Sequence, residues 1–307
     1  MINFSINEFE QKAPRTIFDS KEFFSLHSAP GDLYIDIHRK EKLVGSIYFG
    51  REDNSLWKSP IRGTFGGLSA TEDISTEEVL EIYTCIEGYM RSQMCAGIQI
   101  QLPPLLHDVS YVSKQAFSLS SLGFSIQACE VNQAIEINRE PQEKRYSRGN
   151  RRCLKKLRDK GYRVEPLCLS NLNAVYELLE RNRANKGRTL SMSLGEIKEM
   201  AEVFPESICL FGAFFKEYLV ASAICIRISS EVLYVLYWGE DISYIRESPV
   251  VILSSGIYDY CSDERISLLD VGTSTMNGFP DPGLLRFKRA LGFKESIKLA
   301  YRKLYES

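Results

Sequence analysis

The chain is poor in the residues that build metal and disulfide frameworks. Its three histidines, His27, His38 and His107, lie far apart, and its eight cysteines form no CxxC pair. Such spacing offers no metal-ligand cluster. The cysteines, most of them inside apolar runs, read as buried thiols of a reducing cytosol. No run of about eighteen apolar residues occurs, so membrane insertion is not expected. The opening "MINFSINEFEQK" lacks the basic-then-apolar order of a signal peptide. Net charge is only −2, so nothing in the overall balance points to DNA. What is there is globular: 307 residues, 44% hydrophobic and 25% charged, enough for two domains of ordinary size.

The chain repeats itself. "HRKEKLVGSIYFG" from His38 parallels "FFKEYLVASAICI" from Phe214. "IEGYMRSQMCAGIQIQL" from Ile86 parallels "IYDYCSDERISLLDV" from Ile257. "SSLGFSIQACEVNQAIEI" from Ser120 parallels "RALGFKESIKLAYRKLY" from Arg289. Three matches in one order, at offsets of 169 to 176, read as two copies of one unit, residues 1–140 and 145–307. The polar stretch "NREPQEKRYSRGN", Asn138 to Asn150, reads as their linker.

Helix and strand signals interleave. "STEE" at Ser75–Glu78 is a capping box ahead of an apolar stripe through Val79, Ile82, Tyr83, Ile86 and Met90. Ser248 and Pro249 predict a helix start with Ser248 as cap, and Asp281 with Pro282 predicts another that Gly292 closes. Between them lie strand-like runs: "LYIDI", "GIQIQL", "ICLFGAFF", "LVASAICIRI", "VLYVLYW" and "ISLLDV". The class is α/β or α+β with mixed sheets.

One helix breaks the pattern. In "GLLRFKRALGF", at about 100° per residue, Lys288 falls in the sector of Leu284, Phe287 and Leu291, while Arg286 and Arg289 point away. A lysine on a packed face either snorkels or aims its charge at an anion or a developing oxyanion. The loop Thr273–Phe279 before it joins a strand end to a helix start, where α/β sheets tend to bind ligands. Gly272, Thr273, Asn277 and Arg286 are therefore candidate donor or substrate contacts. Asp270 shares a strand face with Ile266 and Leu268. It suits an amine-orienting or proton-relaying carboxylate, and equally a turn cap. Tyr234 and Tyr237 read as core, and Trp238, at the strand's end, as the aromatic placed to line a ligand channel.

The ending "LLDVG", a loop, "GLLRFKRALGF" and a final strand resembles the end of GNAT-type N-acyltransferase domains. More closely, it resembles the tandem-GNAT Fem-type peptidoglycan-bridge aminoacyltransferases and their acetyltransferase relatives. "SRGNRRCLKKLRDKGYRVEPL" is similar to the start of their second domain. The resemblance implies two tandem GNAT-like domains, the second carrying the active site. It implies a bacterial, cytoplasmic N-acyltransferase that moves an acyl or aminoacyl group, with acyl-CoA the first candidate donor, to an amine of a small or cell-envelope-precursor acceptor. It implies that Lys288 stabilises charge during transfer and that Asp270 is the acidic strand-end residue.

Two departures qualify that expectation. The Q/R-x-x-G-x-G/A loop that takes the CoA pyrophosphate is missing, since "GEDISYIRESPVVIL" follows "VLYVLYW"; "RGTFGG" at Arg62–Gly67 has the wrong spacing. No paired helical arm of the kind some Fem-type enzymes carry is legible. A Fem-like aminoacyl-tRNA-dependent enzyme and a non-catalytic tandem-GNAT binding protein remain as alternatives. Residues Lys144 to Arg163 hold ten Lys/Arg and one acid, Asp159. They read as an anion site, with Arg151 and Arg152 as contacts, or as a solvated helix. "SPIRGTFGGLSA", Ser59–Ala70, reads as a wall of an acceptor cleft or as a conformational loop. No Ser-His-Asp or Cys-His arrangement is legible, and no metal is expected.

Overall fold

A computed structural model describes residues 2–11, 13–52, 56–276 and 278–305; the candidate contact Asn277 lies outside them. The chain forms two compact units. One comprises residues 1–131, 275–279 and 296–307, the other 132–274 and 280–295.

The first unit runs β1 (Ile2–Ile6), α1 (Lys21–His27), β2 (Leu33–Arg39), β3 (Lys42–Glu52), β4 (Leu56–Ser59), β5 (Ser69–Ala70), α2 (Thr76–Ser92), β6 (Gly97–Gln101) and α3 (Val109–Ser121), leading into β7 (Ser125–Glu136). Its strands lie in the order β1-β2-β3-β4-β6-β15, where β15 is the strand Lys294–Leu304, and β5 pairs with β3. The capping box forms as the sequence predicts: Ser75 accepts from the Glu78 amide and Glu78 reaches back. Val79, Ile82, Tyr83, Ile86 and Met90 of α2 are buried in a core shared with Tyr111, Val112 and Leu119 of α3. At about 25 cal/mol per Å2 such apolar stripes hold the helices to the sheet.

The second unit runs α4 (Arg148–Asp159), β8 (Tyr162–Leu167), α5 (Leu172–Ala184), α6 (Leu194–Val203), β9 (Ile208–Phe215), β10 (Tyr218–Arg227), β11 (Val232–Glu240), α7 (Val250–Asp263) and β12 (Leu268–Thr273). After the short β13 (Thr275–Met276) and β14 (Phe279–Pro280) comes α8 (Pro282–Ala290). The strand order is β7-β12-β11-β10-β9-β8. All neighbours are antiparallel except β11 and β12, which are parallel. Strand alternation divides β10: Ala221, Ala223 and Cys225 enter the core with Leu154 and Leu157 of α4 and Val251, Leu253 and Ile257 of α7. Ser222 turns the other way and donates to the Val175 carbonyl of α5. The basic helix α4 is thus seated by two leucines, with its cations outside.

One helix start differs from expectation. Helix α7 begins at Val250 with Pro249 as its cap, and Ser248 sits before it at φ +54°. The Val250 amide bonds instead to the Glu240 carboxylate, ten residues upstream, at 3.3 Å. A side chain from the preceding strand has taken the role that sequence assigned to Ser248. Helix α8 starts as read, with Asp281 accepting from the Leu284 amide and Pro282 at the first position; Gly292 follows its end at φ +86°.

Candidate active site

The parallel strands β11 and β12 are in register from Val232↔Leu268 to Tyr234↔Asp270 and pair no further. Both continue, so they part. The β12 backbone beyond Asp270 then needs other hydrogen-bond partners. Into this parting α8 sends Lys288. Its Nζ donates to the carbonyls of Gly272 at 2.9 Å and Thr273 at 3.1 Å. Lys288 is 2% exposed and is the one fully buried residue of α8. The lysine on the apolar side of the wheel therefore replaces a missing strand neighbour. Burial pushes its pKa down to about 7; Asp270 pulls the other way.

Asp270 is 1% exposed and turned toward the backbone. Its Oδ1 accepts from the Gly272 amide at 2.7 Å and from Asn132 Nδ2 at 2.9 Å. The first bond closes an Asx-type turn that holds Gly272 at φ +73°, a conformation costly for any residue with a Cβ. Asp270 thus fixes the carbonyl that Lys288 grips and supplies a nearby negative charge.

Beside the parting lies a cavity of about 550 Å3. Gly272, Thr273 and Lys288 line it, as does Trp238, whose ring packs edge-on against Phe287 and Phe293 at centroid distances of 6.0 and 6.1 Å. The β10–β11 register slips between Ile224 and Cys225, skipping Leu236. This bulge changes which way the following side chains face, and Val235 and Leu236 both line the cavity. Tyr237 instead bonds Ser191 Oγ and the Met192 amide, while Tyr234 reaches the cavity wall. Burial, and then the Asp270 charge, push the Tyr234 phenol up.

The remaining candidates lie elsewhere. Arg286 is exposed, its Nε donating to the Pro282 carbonyl, and is not part of the cavity wall. Arg151 and Arg152 are exposed on α4 and do not line it either. The cations that do are Arg183, Lys186 and Arg188, from the end of α5 and the turn after it. Arg188 pairs with Asp281 at 3.1 Å, and Lys186 donates to Asn182 Oδ1 at 3.1 Å. Arg183 is half-buried and has no ion-pair partner among the described residues. Burial, and then Arg188, hold its pKa down. Their signal, "RNRANKGR" at Arg181–Arg188, has four basic residues and no acid.

CoA carries a diphosphate, a group that helix N-termini bind through their free amides. The N-terminus of α7 opens on this cavity, which both Glu240 and Val250 line. Its first amide is already engaged by the Glu240 carboxylate. That residue does not suit a diphosphate at this position. Gly239 beside it is required by close approach: a Cβ there would stand 2.9 Å from Asn182 Cγ and Oδ1. Asn182 in turn fixes the Glu240 carbonyl, donating at 2.7 Å. Among the described residues no cluster could hold a metal ion, and no helix is long and apolar enough to cross a membrane.

No protein-family model matches the chain, and no curated protein matches it. Among solved structures, FemX is 13% identical over 94% of this chain and 92% of its own, with a TM-score of 0.71. A conserved protein of unknown function from Bacteroides thetaiotaomicron VPI-5482 is 11% identical over 94% and 90%, with a TM-score of 0.61. A tandem GNAT protein from the clavulanic acid biosynthesis pathway is 11% identical over 100% of both chains, with a TM-score of 0.54. At these identities the likeness carries the fold alone. The mixed α/β architecture is that of the tandem GNAT and Fem-like proteins.

Proposed function

We propose that the second unit transfers an acyl or aminoacyl group from an activated ester or thioester to an amine. The observation that carries this is a buried lysine on the wall of a cavity opened by two parting parallel strands. In the reaction the amine nitrogen bonds to the donor carbonyl carbon, and the C=O electron pair moves onto oxygen. The C–O or C–S bond then breaks, and the amine's proton leaves with the departing group. The Lys288 ammonium has three N–H groups, of which the Gly272 and Thr273 carbonyls take two. The third is available to the oxyanion, whose stabilisation is commonly the largest single catalytic contribution. Asp270 is a positioning residue acting through Gly272, and Arg183 offers charge to an anionic part of the donor. The acceptor class that fits is a small or cell-envelope-precursor amine in the cytoplasm of a bacterium.

Because the pKa of Lys288 is pushed down to about 7, the ammonium is lost as pH rises through that value, and its contribution to the rate is lost with it. Lys288→Met should lower turnover about 10²- to 10³-fold and remove this falling limb from the pH profile. An unchanged turnover would sink the reading and favour a non-catalytic binding protein on the same fold.

A second reading, with aminoacyl-tRNA as donor, is favoured by α4. Arg148, Arg151, Arg152, Lys155 and Lys156 are exposed there without ion-pair partners among the described residues. Binding of total aminoacyl-tRNA should then weaken steeply with salt. Binding that ignores salt would remove this reading and leave the first in place.

A further inference from the structure

We propose that Glu240 is a specificity-determining residue of this site. Held on the first amide of α7, its carboxylate turns away donors that would place a diphosphate there, leaving the cavity to donors whose leaving group carries none. The inference rests on the acyl-transfer reading and sharpens its donor class.

Three observations place the group. Glu240 ends β11 with its carbonyl fixed by Asn182, so its side chain starts from a rigid point. Its Oε2 meets the Val250 amide, and both residues face the cavity. Lys186 stands close enough for its charge to act on Glu240, and it lines the same wall. Without the carboxylate, the positive end of a 14-residue helix would join Arg183, Lys186 and Arg188 in one anion-binding surface. With it, one part of that surface is already neutralised and repels a second anion, while Arg183 stays unengaged. Desolvation raises the Glu240 pKa, and the Val250 amide and then Lys186 pull it back.

The decisive comparison is Glu240→Gln, which keeps a carbonyl oxygen for the Val250 amide and removes only the charge; Glu240→Ala is the second variant. Calorimetric titration of each full-length protein with inorganic pyrophosphate, CoA and pantetheine reads the effect. Loss of the charge should tighten pyrophosphate and CoA at least about tenfold, roughly 1.4 kcal/mol, and leave pantetheine unchanged. Equal or weaker diphosphate binding in both variants overturns the inference, as does a gain shared by pantetheine. Lys288→Met tests the underlying reading separately. If that variant loses turnover while the Glu240 variants gain nothing, acyl transfer stands and the role of Glu240 falls.

Discussion

Each unit contains two parallel strands that run together briefly and then part, and the two partings are treated in opposite ways. In the first unit β4 and β6 are paired from Leu56↔Gly97 to Ser59↔Ile100. The chain then closes the gap itself. The Gly66 amide donates to the Gln101 carbonyl, the Gln101 amide to the Thr64 carbonyl, and Ser59 Oγ accepts from Gly67. Phe65 is sealed at 2% exposure against Phe18. In the second unit β11 and β12 part after Tyr234 and Asp270, no loop returns, and a cavity remains with one ammonium on its wall. The same local topology thus yields a packed core when a Gly-rich loop folds back, and a site when a lysine arrives instead.

The comparison can be broken or sharpened by substitution. The largest effect should follow Lys288→Met, with turnover down about 10²- to 10³-fold and the alkaline limb gone. Next is Phe65→Ala, which empties the plug of the first unit. It should cost about 3–5 kcal/mol in urea unfolding yet leave turnover per folded molecule unchanged. A turnover change there would mean the first unit's loop takes part in the chemistry and that the contrast drawn above is wrong.

A smaller effect concerns Asp19, buried beside that plug, whose pKa burial raises from 3.8 to about 6 against the bonds from Thr16. A carboxyl raised in the folded state favours folding fully below the unfolded value and loses that advantage as pH rises through the folded one. Stability should therefore fall by roughly 2–3 kcal/mol between about pH 4 and pH 6, and Asp19→Asn should flatten the fall. Identical pH profiles would refute this. The smallest effect is Arg151→Ala with Arg152→Ala. Stability should stay within about 0.5 kcal/mol, while any tRNA salt slope should shrink by about one to two.

Much of the frame was legible because periodicity and caps are local. The burial of Lys288, both bounds of α8 and the α2 stripe all follow from spacing within one element. What was not legible depends on partners distant in sequence. Arg183, Lys186 and Arg188 outrank Arg151 and Arg152 at the cavity only because β11 parts beside α5; composition favoured the longer basic run. The Ser248 cap gave way to Glu240 because a strand end delivers its carboxylate to the helix, which no turn rule anticipates. Asn132 and Gln133 looked like ordinary strand residues. In the fold they are 2% and 0% exposed, Asn132 bonding Asp270 and Gln133 accepting from Ser274.

Strand β15 has a consequence for how the molecule is made. Its residues Ala300 to Leu304 pair with Gln101 to Gly97, so the first unit's sheet gains a strand translated roughly 200 residues after its neighbour. A ribosome elongates at about 5–20 residues per second. For some ten seconds or more, then, the nascent first unit has the edge of β6 uncovered while the second unit is still being synthesised. During that interval the unfinished edge is open to chaperones or to pairing with another chain. The order of translation and the order of assembly run opposite to each other here.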